Sequence, residues 1–185
     1  MESNQNYENL FSNVDESWTL FLDRDGVINR KLDNDYVKNL DELDVFPSAI
    51  EAIALLSKYF HRIVIVTNQQ GIGKGLMSHD DLKIVHDEVL DKIRSAGGKI
   101  DAVYYAPQLA AENSEMRKPE IGMAKKAQSD FPTIDFSKSI MVGDSISDMQ
   151  FGDKAGMINV YIHPKSHSNY FTVESLYDLA SIFKK

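Results

Sequence analysis

Two carboxylates one residue apart, Asp23 and Asp25, close an apolar run in TLFLDRDGVIN (19–29), and like charges that near each other raise one another's pKa. A third acid, Asp144, ends another apolar run in MVGDSISDM (141–149). If folding gathers the three, a hard divalent cation resolves the repulsion. Mg²⁺ prefers octahedral oxygen ligands at about 2.1 Å and keeps several waters, so Asp23, Asp144 and a backbone carbonyl suffice to hold it and leave room for phosphate. One carboxylate, Asp23, can then attack phosphorus, which splits ester hydrolysis into formation and breakdown of an aspartyl-phosphate. Asp25 serves as the acid for the departing alkoxide and later as the base for water. Charge building on the transferring oxygens calls for positioned donors, and the Thr67 hydroxyl, the Asn68 amide and Lys118 are of the right kinds.

Such residues cooperate only if the fold brings them to one edge. Apolar, β-branched or aromatic runs begin near Trp18 and recur at 62–67, 102–105, 139–143 and 159–162, each continuous enough for a strand covered on both faces. Segments of helical period lie between them. Ala49, Ile50, Ile53, Ala54, Leu55 and Leu56 form a stripe behind Pro47. Leu82, Val85, Val89, Leu90 and Ile93 follow a capping box at Ser78-His79-Asp80-Asp81 and precede Gly97-Gly98. Shorter helices are expected at 120–130, 146–155 and 174–184.

This alternation predicts an α/β fold, a doubly wound parallel sheet of Rossmann type, with ligands beyond the carboxyl ends of the strands. On that plan the first strand delivers Asp23 and Asp25, the second Thr67 and Asn68, and the fourth Asp144. The loop after the third delivers Arg117 and Lys118. A turn at Gly26 brings Asp25 round to the cavity of Asp23. A helix opening after Asp144 points its amino end to the same rim. The long connections 30–43 and 107–119 are the places for substrate contacts.

The four motifs Asp23-Arg24-Asp25-Gly26, Thr67-Asn68-Gln69, Lys118-Pro119 and Gly143-Asp144-Ser145-Ile146-Ser147-Asp148 resemble, in order and spacing, those of the haloacid-dehalogenase-like phosphatases. Within them, FLDRDGVIN, TNQQGIGKG, RKPEIGM and MVGDSISDM are similar to the branch containing D,D-heptose 1,7-bisphosphate phosphatase and histidinol-phosphatase. The resemblance implies Asp23 as nucleophile, Asp25 as proton donor, and Thr67 with Lys118 as holders of the phosphoryl group. It implies Mg²⁺ on Asp23, the Asp25 carbonyl and Asp144, with Asp148 supporting them. Asn68, Gln69, Arg117, Asp33 and Tyr36 are the implied substrate contacts. No large cap domain is expected. Many members of the branch carry a cysteine-rich zinc loop before the Arg-Lys-Pro motif, whereas YAPQLAAENSEMRKP here has neither cysteine nor histidine, so no zinc is expected.

Composition narrows the partners. Twenty basic against 28 acidic residues give a net charge of −8, which disfavours nucleic acid and requires a locally basic pocket for an anionic substrate. The absence of cysteine excludes disulfides and thiolate metal sites. No apolar run nears the ~20 residues of a membrane span, and the polar, acidic start does not read as a targeting segment. The expected protein is a cytoplasmic monomer that takes a small-molecule phosphate ester and no membrane partner. Residues 1–16 are expected as a loosely held leader and 17–185 as the single catalytic domain.

Competing readings are a histidinol-phosphatase, a polynucleotide 3′-phosphatase sharing the Thr-Asn-Gln and Arg-Lys-Pro style of motif, and a receiver-like signalling module. The receiver's acidic pair is normally adjacent, unlike Asp23 and Asp25. GIGKG (71–75) lacks phosphate-loop spacing and is expected as a loop. His79, His86, His163 and His167 are assigned to surface or packing, and Tyr104-Tyr105 to the sheet.

Overall fold

The computed structural model describes residues 11–184. Six parallel strands form one sheet: β1 (Thr19–Leu22), β2 (Arg62–Asn68), β3 (Ala102–Ala106), β4 (Ser139–Gly143), β5 (Ile158–Ile162) and β6 (Phe171–Val173), in the order β3-β2-β1-β4-β5-β6. The chain winds outward from β1 in both directions. β1 therefore lies in mid-sheet, with Leu22 level with Ile65 of β2 on one side and Val142 of β4 on the other.

A central parallel strand is covered on both faces, which is why its sequence is a continuous apolar run. Alternation along β1 sends Leu20 and Leu22 into one core and Phe21 into the other. Helices α1 (Pro47–Leu56), α3 (His79–Ser95) and α6 (Leu176–Ile182) cover the first core with Ile53, Leu56, Val89, Ile93 and Leu179. On the opposite face α4 (Gly122–Asp130) and α5 (Ile146–Ala155) supply Met123, Ala124, Ala127 and Phe151. Truncating a fully buried side chain such as Leu22 to alanine would cost about 2–5 kcal/mol. The capping box of α3 is present: Asp81 N donates to Ser78 Oγ at 3.0 Å, and Ser78 N to Asp81 Oδ2 at 2.8 Å.

The doubly wound parallel sheet agrees with the sequence expectation, and three details differ. β6, at the edge, is three residues long, too short to show a strand period. GIGKG is not simply a loop, because Gln70–Gly73 forms one helical turn, α2. Part of the expected leader is docked: Phe11 is buried, with ring centroids 5.2 Å from Phe171 and 5.9 Å from Phe183. No strand or helix period surrounds this residue in the sequence, and it finds its aromatic partners in β6 and just after α6. The remainder of that leader, 1–10, lies outside the described residues. No helix among the described residues is long and apolar enough to cross a membrane.

Candidate active site

Leu22 is the last residue of β1, and the next amide, Asp23 N, donates to Val142 O at 2.9 Å, so Asp23 is locked between β1 and β4. Its Oδ1 accepts from Arg24 N at 2.8 Å and lies 3.0 Å from Lys118 Nζ. The chain then turns on the Arg24 carbonyl, which accepts from the amides of Val27, Ile28 and Asn29 at 3.3, 2.8 and 3.2 Å. Gly26 has φ +89, and a Cβ there would stand 2.2 Å from Asp144 Oδ2. Only glycine permits both the turn and the approach of the β4 loop to the β1 loop.

β2 contributes in two ways. Thr67, at 1 % exposure, accepts from Gln69 Nε2 at 2.9 Å. Asn68 clasps the backbone of Lys118, donating from Nδ2 to its carbonyl at 3.1 Å and accepting from its amide at 3.0 Å. That clasp presents the lysine to the site. Lys118 Nζ, nearly sealed from solvent, reaches Asp23 Oδ1, Asp148 Oδ1 at 2.5 Å and Val66 O at 2.7 Å. Burial alone would lower its pKa, but Asp148 and Asp23 outweigh burial and hold the ammonium charged.

From β4, Asp144 receives Lys31 Nζ at 2.9 and 2.8 Å on its two oxygens. Asp148, one turn into α5, closes a capping box with Oδ2 accepting from Ser145 N at 3.0 Å and from Ser145 Oγ at 2.5 Å. A Cβ on Gly143 would lie 2.2 Å from Asp148 Cβ, so that glycine admits the first turn of α5 to the sheet end.

Carboxylate oxygens of Asp23, Asp144 and Asp148 lie within 4.8 Å of one another. Burial first, and then the neighbouring charges of Asp148, Asp25 and Asp144, push Asp23 up to about 7 against the opposing pull of Lys118. Burial also raises Asp144 despite Lys31. A hard, all-oxygen donor set whose negative charge is under-compensated is what Mg²⁺ fits. Asp23, Asp144 and the Asp25 carbonyl would hold it, since Asp148 is held by buried Lys118 and by Ser145 of its own helix cap, whereas the Lys31 partner of Asp144 is half-exposed and can be displaced.

Asp25 is differently placed. Arg24, fully buried, forks onto it with Nη2 at 2.9 Å from each oxygen and Nε 3.2 Å from Oδ1. Asn29 Nδ2 and Gln69 Nε2 add contacts at 2.9 and 2.8 Å. Burial pushes its pKa upward, yet the Arg24 charge and these donors overcome burial and hold the carboxyl below the usual range. The fold thus favours the anionic form of Asp25.

Asp23, Asp25, Thr67, Lys118 and Asp148 line a cavity of about 470 Å³ together with Lys31, Asn34, Asp35, Tyr36, Lys74 and Arg117. Its size suits a small ligand. With Lys118, the cations Lys31, Lys74 and Arg117 balance the four acids of the lining, Asp23, Asp25, Asp35 and Asp148, so the cavity is less acidic than the chain as a whole. A larger hollow of about 850 Å³ beside Leu43, Ile50, Glu51, Glu88 and Asp91 lies away from this chemistry.

The structure places the expected substrate contacts differently from one another. Gln69 is fully buried, its amide is held by Asp25 and Thr67, and it does not line the cavity. Asn68 lines the cavity, but its amide is engaged with Lys118 backbone. Asp33 is exposed and does not line the cavity, whereas its neighbours Asn34 and Asp35 do. Tyr36 and Arg117 do line it. Arg24, Lys31 and Lys74 carry no role in the sequence reading. The only advance signal for Arg24 was a cation set between two acids.

Comparison with known proteins gives the same picture. The family model described as polynucleotide kinase 3 phosphatase matches residues 17–171. A Mycobacterium tuberculosis protein named D-glycero-alpha-D-manno-heptose-1,7-bisphosphate 7-phosphatase is 40% identical over 133 residues, 72% of this chain and 70% of its own length. The chain belongs to the haloacid-dehalogenase-like D,D-heptose 1,7-bisphosphate phosphatase family. It is a phosphatase, a hydrolase of phosphate esters.

Within that family, a Campylobacter jejuni protein also named for the alpha anomer is 35% identical over 173 residues, 90% of this chain and 95% of its own. A Neisseria meningitidis relative, 35% identical over 137 residues (74% and 72%), is named for the beta anomer. The crystal structure of D,D-heptose 1,7-bisphosphate phosphatase from B. bronchiseptica, complexed with magnesium and phosphate, matches with a TM-score of 0.82 at 28% identity, covering 90% of this chain and 97% of that one.

Proposed function

We propose that the protein removes the 7-phosphate of D-glycero-D-manno-heptose 1,7-bisphosphate in a Mg²⁺-dependent reaction through an aspartyl-phosphate on Asp23. The observation that carries this reading is Asp23 itself. It stands between Lys118 and the Asp144–Asp148 pair at the foot of a small cavity whose outer wall holds Lys31, Lys74 and Arg117. One phosphate needs the inner groups, and a second negative group on the same small molecule would meet Lys74 and Arg117, which pair with no acid among the described residues. The names of the relatives support this choice.

Bound Mg²⁺ would neutralise charge on the phosphoryl oxygens and on Asp23. The chain does the rest. Asp25, an anion in the free protein, takes up one proton from solvent as the doubly charged phosphate binds beside it. A carboxylate oxygen of Asp23 then bonds to phosphorus as the bond to the sugar oxygen breaks, and Asp25 delivers that proton to the sugar oxygen. Lys118 Nζ and the Thr67 hydroxyl donate to the transferring oxygens, where charge is greatest. Asp25, now a base, takes a proton from water as the water oxygen attacks phosphorus and the bond to Asp23 breaks. Inorganic phosphate leaves, Asp23 is again a free carboxylate, and Asp25 releases the water proton to solvent as the phosphate charge departs.

Steady-state turnover with Mg²⁺ on both anomers of the heptose bisphosphate, beside histidinol phosphate and a 3′-phosphorylated oligonucleotide, tests this reading. A kcat/KM at least a hundredfold higher for one heptose anomer is expected. Equal or faster turnover of histidinol phosphate or of the oligonucleotide would overturn the substrate assignment.

A further inference from the structure

Arg117 lies on the cavity wall at the end of a segment, 107–117, that contains no metal ligand of the cysteine or histidine type. Internal contacts give this segment its shape. Leu109 N donates to Glu112 Oε1 at 2.7 Å, Asn113 takes a left-handed φ of 49, and Arg117 N donates to Ser114 O at 3.1 Å. None of these fixes where the segment sits. Its far end is anchored by Met116, which packs on the second core. Among the described residues, the hydrogen bonds that tie its near end to the rest of the chain go to α2: Gly73 N donates to Pro107 O at 3.1 Å, and Ala110 N donates to Gln70 Oε1 at 2.8 Å.

The other end of the same amide, Gln70 Nε2, lies 3.2 Å from Tyr36 Oη in the first long loop. Tyr36 packs its ring so closely on α2 that a Cβ on Gly71 would come within 3.0 Å of its Cγ. Lys74 Nζ sits 5.2 Å from the centre of that ring. Tyr36, Lys74 and Arg117 all line the cavity outside the phosphoryl-handling groups, whereas Gln70 does not. One side-chain amide therefore touches two cavity-forming loops whose residues lie 40 and 34 positions away in sequence.

We propose that Gln70 is a positioning residue that joins the two substrate loops and so sets the wall facing the part of the substrate remote from the transferring phosphoryl group. The identity of that substrate rests on the function proposed above. Because the wall acts on binding before and during the reaction alike, its loosening raises KM and leaves kcat nearly unaltered. A small ester with nothing beyond its single phosphate, such as p-nitrophenyl phosphate, feels the loss less.

The test uses the full chain carrying Gln70→Ala, Gln70→Glu or Tyr36→Phe. With heptose bisphosphate, Gln70→Ala is expected to raise KM about tenfold with kcat within about twofold of the parent, and the KM rise is at least five times that seen with p-nitrophenyl phosphate. Independently of any substrate, hydrogen exchange at the Ala110 amide is expected to accelerate at least about fivefold in Gln70→Ala. It should return to the parent rate in Gln70→Glu, whose carboxylate can accept from both Ala110 N and Tyr36 Oη. An unchanged KM, a KM rise equal for both esters, or unchanged Ala110 exchange would overturn the proposal. Should Gln70→Ala not fold, Tyr36→Phe, which removes only a hydroxyl, carries the KM test. If the parent enzyme ignores heptose bisphosphate, the function reading fails. Gln70 is then judged by exchange and by the best ester found.

Discussion

Lys31 Nζ sits across the Asp144 carboxylate, 2.9 Å from one oxygen and 2.8 Å from the other. Burial would lower the lysine's pKa, but the hydrogen bond and charge of Asp144 raise it, so the ammonium is a full counter-charge. A divalent ion reaching Asp144 must displace it. Lys31→Met should therefore tighten Mg²⁺ binding by about three- to tenfold, a modest factor because half-exposed pairs are screened. Calorimetric titration of the protein with Mg²⁺ reads this directly. An unchanged or weaker affinity would mean that Lys31 leaves Asp144 without cost, or that it assists the metal.

Lys118 answers a different problem. It is the one cation in contact with both Asp23 and Asp148, and all three are buried. Replacing it with methionine keeps the aliphatic stem but leaves two carboxylates without their buried partner, a loss of about 3–5 kcal/mol. The metal-free protein should melt well below the parent, and kcat should fall by about a thousandfold because a phosphoryl donor is gone. A thermal melt that does not move would show that water already solvates the pair.

The pH dependence of the metal-free protein follows from Asp23. In the unfolded chain it releases its proton near 3.8, whereas in the fold burial and the neighbouring acids push it up to about 7. Between those values the folded state holds a proton that the unfolded state has lost, so this contribution to stability is full at low pH and declines as pH rises through 7. Asp23→Asn has no such dependence. The melting temperature of Asp23→Asn minus that of the parent should rise by several degrees from pH 5 to pH 8, and the rise should shrink when Mg²⁺ is added. A difference that is flat with pH would contradict the raised pKa.

Asp23, Asp25, Thr67 and Asp144 are legible in the sequence because each stands at the end of an apolar run, and a parallel sheet delivers all such ends to one edge. Lys118 needs the motif order as well, since no strand ends at it. What sequence does not display is how each polar group is engaged. Gln69 has the look of a substrate contact until Asp25, 44 positions away, is seen to hold its amide. Asn68 is similar, with a partner 50 positions distant. β6 and α2, at three and four residues, are shorter than a detectable period. Lys31 and Lys74 lie in loops, where no periodicity assigns a face. Phe11 lies in a largely polar leader without a strand or helix period, and its contacts with Phe171 and Phe183 appear only in the fold.

The acid–base residue depends on a geometry rather than on a charge alone. Arg24 meets Asp25 as a planar fork, both oxygens engaged by Nη2 and one also by Nε, with Asn29 and Gln69 closing the remaining directions. Arg24→Lys keeps the positive charge at the same position in the chain but offers a point donor in place of the fork, so it can face only part of the carboxylate. Asp25 would then wander while Asp23, Lys118 and the cavity wall stay as they are. kcat should fall at least about tenfold with KM within about twofold, since proton delivery is needed only as the leaving oxygen departs. Esters with good leaving groups need that proton least, so p-nitrophenyl phosphate should lose much less than an alkyl phosphate. Equal losses on both would place Arg24 outside the proton-transfer step, and no loss on either would show that charge at this position is sufficient.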